Sequence, residues 1–124
     1  MLFRSRVLSA EHGAEWAPMF MRRMDKMRGM GRNGRWIDGQ LKERPSEIFK
    51  RCFRVVPYWE DDIVPIVEAC GRDVIVGGSD FPHAEGLDDP VSFVDELAGR
   101  STDDIARIMG GNIMELVPTA ASAG

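Results

Sequence analysis

Two short groups of residues in this chain could do chemistry. Glu11 and His12 follow the run Arg6-Val7-Leu8-Ser9-Ala10, and Asp80 and His83 follow Asp73-Val74-Ile75-Val76-Gly77. In parallel α/β proteins, function gathers at the C-terminal ends of strands, where loops converge and helix N-termini point the same way. Asp80 is the sharper candidate. A carboxylate placed directly after a buried strand and fixed by Phe81-Pro82 can bind a divalent metal or move a proton. The same residues also suit a plain turn, capped by Asp80 and stiffened by Pro82. From the residues alone, both readings stand.

The elements that must position these groups follow from periodicity. Arg6–Ala10 reads as a strand ending in a loop. From Ala14 to about Met27, Trp16, Met19, Phe20, Arg23, Met24 and Met27 fall at helical spacing and predict one inward stripe. Pro45-Ser46-Glu47 starts a short helix, with proline at its first position. Cys52–Pro57, β-branched and aromatic, predicts a strand. Asp61 or Asp62 can cap the next helix, where Ile63, Ile66, Val67 and Cys70 share one face before Gly71 stops it. Asp73–Gly77 is apolar at every interior position, the mark of a parallel strand covered on both faces. Asp89-Pro90 opens a helix with Val94 and Leu97 inward, and Ser101 with Asp104 resembles a capping box before Ile105, Ile108 and Met109. A last turn runs from Asn112 to Val117. Strands alternating with helices imply right-handed crossovers and a parallel sheet, whose open edges call for a partner.

Composition limits what the chain can be. Its 124 residues fall short of the roughly 250 that a complete eight-stranded barrel uses. With 44% hydrophobic and 29% charged residues it is a folding sequence. A formal charge of −4 favours neither nucleic acid nor an anionic membrane as partner. Arg22, Arg23, Lys26, Arg28, Arg32 and Arg35 lack interleaved aromatics and read as a solvated helix face entering a loop. Gly29, Gly31, Gly34 and Gly39 trail a helix and precede no Gly-Lys-Ser/Thr, so a flexible connection or lid fits better than a phosphate loop. Cys52 and Cys70, without Cys or His companions, read as reduced core thiols of a cytoplasmic protein.

Four motifs, in order, resemble the amidohydrolase-related family of metal-dependent barrels, which includes aminocarboxymuconate semialdehyde decarboxylase and the hydroxybenzoate-type decarboxylases. Gly78-Ser79-Asp80-Phe81-Pro82-His83 and Ile108–Leu116 are similar to its final strand and closing helix. Glu11–Pro18 is similar to its Glu-x-Gly-x-x-Trp segment, and Arg44–Phe49 to its Pro-Ser-Glu-Tyr-Phe segment. The resemblance implies a partial TIM barrel over residues 1–118, about the last three β/α units with a parallel sheet and a C-terminal helix, followed by a disordered tail at 119–124. It implies that Asp80 is a catalytic residue and a metal ligand. His83, Glu11 and His12 are expected in supporting or substrate-contacting positions, His12 standing where the family has a small residue.

The family's first-strand His-x-His or Glu-x-His pair has no counterpart here. Since a catalytic zinc normally takes three protein ligands, the expectation is the C-terminal part of a metal-dependent hydrolase or carboxy-lyase, inactive alone. Zinc or a similar divalent ion is expected in the parent enzyme and none in the isolated fragment. The parent's substrate would be a small carboxylated or amide-like molecule. The fragment's partner would be the missing N-terminal barrel half or further copies of itself. The alternative is a non-catalytic α/β module that self-associates through its open sheet edges.

Overall fold

The structure, a computed structural model, describes residues 5–30 and 41–117. Arg32, Arg35, Gly31, Gly34, Gly39 and the tail at 119–124 lie outside the described residues. Strand β1 (Val7–Ser9) pairs in parallel with β2 (Phe53–Val55), in the register Val7 to Phe53, Leu8 to Arg54 and Ser9 to Val55. Helix α1 (Trp16–Met30), helix α2 (Pro45–Cys52) and helix α3 (Ile63–Cys70) connect and flank these strands.

The third strand is shorter than expected. Asp73–Gly77 joins the sheet through a single parallel bridge, Val55 to Ile75, closed by Val55 N–H to the Val74 carbonyl (2.8 Å) and Val76 N–H to the Val55 carbonyl (3.0 Å). Two features cut the ladder. Pro57 has no N–H to extend β2, and Gly77 N–H donates to the Ile108 carbonyl of the C-terminal helix at 2.8 Å instead. The apolar pattern still reports burial correctly, with Val74, Ile75 and Val76 all at most 5% exposed.

Helix α1 corrects the expected stripe. Ala17 and Met21 are the buried positions, whereas Met19, Phe20 and Met27 are 58%, 41% and 44% exposed. Two neighbouring faces of this helix are apolar, and the one carrying the small Ala17 approaches the core more closely. Trp16, Phe20, Phe49 and Phe53 nevertheless form a ring cluster, with Phe49 stacked on Phe53 at 4.5 Å between centroids. The N-terminus of α2 is capped across space: the Asp25 carboxylate of α1 accepts from Ser46 N–H (2.9 Å) and Ser46 Oγ–H (2.7 Å). That compensates for Arg44, which has no capping side-chain bond.

In α3 all four expected residues, Ile63, Ile66, Val67 and Cys70, are buried, and Gly71 stops the helix at φ 90°. Asp62 makes no side-chain cap, and Asp61 is used elsewhere. The segment Pro90–Leu97 is a 3₁₀ helix capped by Asp89 on Val91 N–H. It buries Phe93 and Leu97, while Val94 is half-buried. Ser101 Oγ caps helix α4 (Thr102–Ala106) by accepting from Asp104 N–H, as expected. Asp104 does not reciprocate as a full capping box would, because its carboxylate pairs with Arg72 at 2.8 Å. A π turn, Arg107–Gly111, leads into helix α5 (Asn112–Met114). Cys52 and Cys70 are both buried and outside any disulfide, and burial pushes the Cys70 thiol up to about 11. Among the described residues no helix is long and apolar enough to cross a membrane.

Candidate active site at the strand ends

The three strands end around one cavity of about 370 Å³, lined by Glu11 after β1, by Pro57, Tyr58, Trp59 and Glu60 after β2, and by Gly78, Ser79, Asp80, His83 and Glu85 after the third strand. A larger cavity, about 570 Å³, lies among Glu43, Arg44, Glu47, Lys50, Arg51 and Asp73 at the opposite ends of the strands. Size does not decide between them. Barrel active sites form at the C-terminal face, whereas the opposite face serves stability. The larger cavity's charges are also partly paired, Arg51 gripping Glu43 through both terminal guanidinium nitrogens at 2.6 and 3.2 Å.

Asp80 is placed by its backbone. The chain leaves the third strand through Gly78, where a Cβ would lie 2.4 Å from Val56 Cγ1, so only glycine lets the segment pass β2. Asp80 has φ 54°, in the left-handed region that favours glycine. Its loop then folds back on itself. Asp80 carbonyl accepts from His83 N–H (2.9 Å), Ser79 carbonyl from Leu87 N–H (2.8 Å), and Ser79 Oγ from Phe81 N–H (3.2 Å). Gly86 allows this return, since a Cβ there would come within 2.6 Å of the Ser79 carbonyl oxygen and 2.7 Å of the Asp80 one. The result brings Asp80 Oδ1 to 3.1 Å from His83 Nδ1, with Asp80 the more sheltered at 32% exposed against 59%. One donor atom each from Asp80, His83 and Glu85 lies within 4.8 Å of the other two.

The facing wall is held by a carboxylate that the sequence reading assigned only to helix capping. Asp61 Oδ2 accepts from Ala14 N–H at 2.6 Å and Tyr58 N–H at 3.0 Å, tying the loop after β1 to the loop after β2. Tyr58 Oη–H donates to the Glu11 carbonyl at 2.6 Å, and Trp59 Nε1–H to the Glu85 carbonyl at 2.5 Å. Glu11, like Asp80, has positive φ, at 60°. Glu11 lines the cavity; His12 is not among its lining residues, and its exposed ring lies against the Ala10 carbonyl at 2.7 Å from Nδ1.

Sequence reasoning missed Tyr58, Trp59, Glu60 and Glu85. The signal for the first three was available: Tyr58-Trp59-Glu60 follows the strand closed by Pro57 and so sits at a C-terminal strand end, the rule that singled out Glu11 and Asp80. Asn112 was also missed. Fully buried, its Nδ2 donates to the Arg72 carbonyl (2.6 Å) and the Ile75 carbonyl (2.7 Å), fastening the third strand just upstream of Asp80.

No family model and no curated protein matches the chain. A crystal structure of an amidohydrolase from Mycobacterium avium subsp. paratuberculosis K-10 is similar over 90% of this chain, with a TM-score of 0.77 and 34% sequence identity. The chain spans 27% of the length of that protein. Fold and sequence together support a relationship to the amidohydrolase superfamily, and the architecture of this chain is that of a partial amidohydrolase barrel.

Proposed function

We propose that the chain is the C-terminal portion of an amidohydrolase-type, metal-dependent hydrolase or carboxy-lyase, in which Asp80 is a metal ligand. The observation that carries this reading is the meeting of Asp80, His83 and Glu85, donor atoms within 4.8 Å, at the mouth of the cavity. Two ligands about 2.1 Å from one ion lie at most about 4.2 Å apart, so small side-chain rotations bring this set into range. The donors, two carboxylates and an imidazole, suit zinc or a similar divalent cation. When bound, such an ion polarises a carbonyl or lowers the pKa of water. The chain's own residues supply the rest: Ser79 and Gly86 fix the backbone of Asp80, and His83 orients its carboxylate. By itself the chain has no activity in this reading, because the remaining ligands and the substrate-binding loops belong to the rest of the barrel.

Zinc titration of the full chain, wild type against Asp80→Asn, tests the assignment. Binding is expected to weaken at least about tenfold in the variant, with circular dichroism unchanged. Binding that is equal in both proteins refutes Asp80 as a ligand. A second reading, self-association of a non-catalytic module, is favoured by the 41% and 43% exposure of Val7 and Leu8 on the terminal strand β1. Sedimentation of the wild type against Leu8→Lys tests it: a dimer lost in the variant supports it, and a wild-type monomer excludes it.

A further inference from the structure

We infer that Trp59, on the loop after β2, is the positioning residue for Glu85, the third donor of the metal set on the neighbouring loop. This rests on the reading of Asp80, His83 and Glu85 as metal donors, and names what holds that set in place. Asp80 and His83 hold each other. They stand three residues apart, Asp80 Oδ1 at 3.1 Å from His83 Nδ1, in a turn closed by His83 N–H on the Asp80 carbonyl at 2.9 Å. Glu85 is exposed near the tip of the returning loop. Its neighbours are tied by Gly86 N–H on the His83 carbonyl (3.0 Å) and Leu87 N–H on the Ser79 carbonyl (2.8 Å). Among the described residues one hydrogen bond reaches Glu85 itself, from Trp59 Nε1–H to its carbonyl at 2.5 Å.

Trp59 serves as a fixed arm because the turn that carries it is pinned. Asp61 N–H donates to the Tyr58 carbonyl at 3.2 Å, while Asp61 Oδ2 accepts from Tyr58 N–H at 3.0 Å and from Ala14 N–H, on the loop after β1, at 2.6 Å. The indole itself is 44% exposed, so core packing does not account for its placement. An exposed glutamate loses backbone and side-chain freedom when an ion orders it. A carbonyl already held by the indole has given up part of that freedom beforehand, which favours binding. Groups that orient a ligand without touching the ion matter to affinity for this reason.

The test titrates the full chain with zinc, following the indole N–H resonances by NMR. Trp59→Phe keeps a ring and removes the N–H, and Glu85→Gln removes the donor but keeps the carbonyl that Trp59 holds. Trp59→Phe should weaken zinc about three- to tenfold with circular dichroism unchanged. In the Glu85→Gln background the same change should cost less than about twofold, because the donor it positions is gone. With Trp59 in place, zinc should shift its indole signal in the wild type and not in Glu85→Gln. Wild-type affinity in Trp59→Phe, the same loss in both backgrounds, an indole shift that survives Glu85→Gln, or a wild type that takes up no zinc at millimolar concentration overturns the inference. Zinc binding weakened by Asp80→Asn but indifferent to Trp59→Phe sinks it and leaves the Asp80 assignment standing. Binding weakened by Trp59→Phe and Glu85→Gln but not by Asp80→Asn does the opposite.

Discussion

Replacing Asn112 probes how the C-terminal helix holds the strand that delivers Asp80. In Asn112→Ala, two hydrogen bonds to carbonyls are lost, worth about 1 kcal/mol each, and the Ile75 carbonyl is left buried without that donor, costing about 1–3 kcal/mol more. Against this, Asn112 Oδ1 is itself buried without a partner, so removing it returns a similar amount. The net expectation is about 2 kcal/mol, a large fraction of the roughly 5–15 kcal/mol that stabilises an ordinary domain. Urea unfolding should show the midpoint falling by about 1–2 M with an unchanged slope. Asn112→Asp sharpens the test. Its carboxylate would face two carbonyl oxygens in a fully buried site, which raises its folded pKa above the unfolded value of about 3.9. A raised folded pKa means that stability falls as pH rises above about 4, so this variant should lose ground against Asn112→Ala between about pH 4 and 7. A Asn112→Ala midpoint within about 0.3 M of wild type, or an Asn112→Asp stability parallel to wild type across that range, would refute the clamp.

Two further outcomes follow from the same contacts. Gly86→Ala should push back the Ser79 and Asp80 carbonyls, at a cost of about 1–3 kcal/mol, and weaken zinc binding about tenfold; a variant with wild-type stability and zinc affinity refutes the tight return of the loop. Glu115 is held below the usual carboxylate range first by the Arg107 hydrogen bond and then by Arg54. A depressed folded pKa gives stability that is present above the unfolded value near 4.5 and lost as pH falls through the folded one. Glu115→Gln should therefore be less stable than wild type above about pH 5, by about 1–2 kcal/mol because buried Arg54 loses a charged partner, and should converge with it in acid. Chemical denaturation at several pH values reads both trends.

Much of the architecture was legible because burial leaves a mark in composition. The four inward residues of α3 and the uniform apolar run at 74–76 appeared where the pattern put them. The stripe of α1 was misread because methionines populate two adjacent faces, and only the packing of Ala17 distinguishes them. Third-strand pairing was illegible, since it depends on Gly77 N–H finding Ile108, a contact that no local pattern announces. At the candidate site, the position of Asp80 and Glu11 on the cavity wall follows from their place after strands. Asp61 looked like a helix cap because its two partners, Ala14 N–H and Tyr58 N–H, include one 47 residues away. Glu85 reached the cavity only through the fold-back at Gly86, a property of the loop rather than of the residue.

The π turn at Arg107–Gly111 shifts the phase of the closing helix. In it Asn112 N–H bonds the Arg107 carbonyl, five residues back instead of four, which accommodates one residue beyond the α-helical count, about 100° of rotation. The helix can thus satisfy two neighbours that a regular helix would see on different bearings: Arg72 pairs with Asp103 and Asp104 before the turn, while Asn112 reaches Ile75 after it. Gly110 and Gly111 are the last two residues of that turn. Deleting a single residue there would keep the helix and its composition nearly intact, yet swing Asn112 about 100° off the strand. In this part of the chain residue number is as much a determinant of the site as residue type.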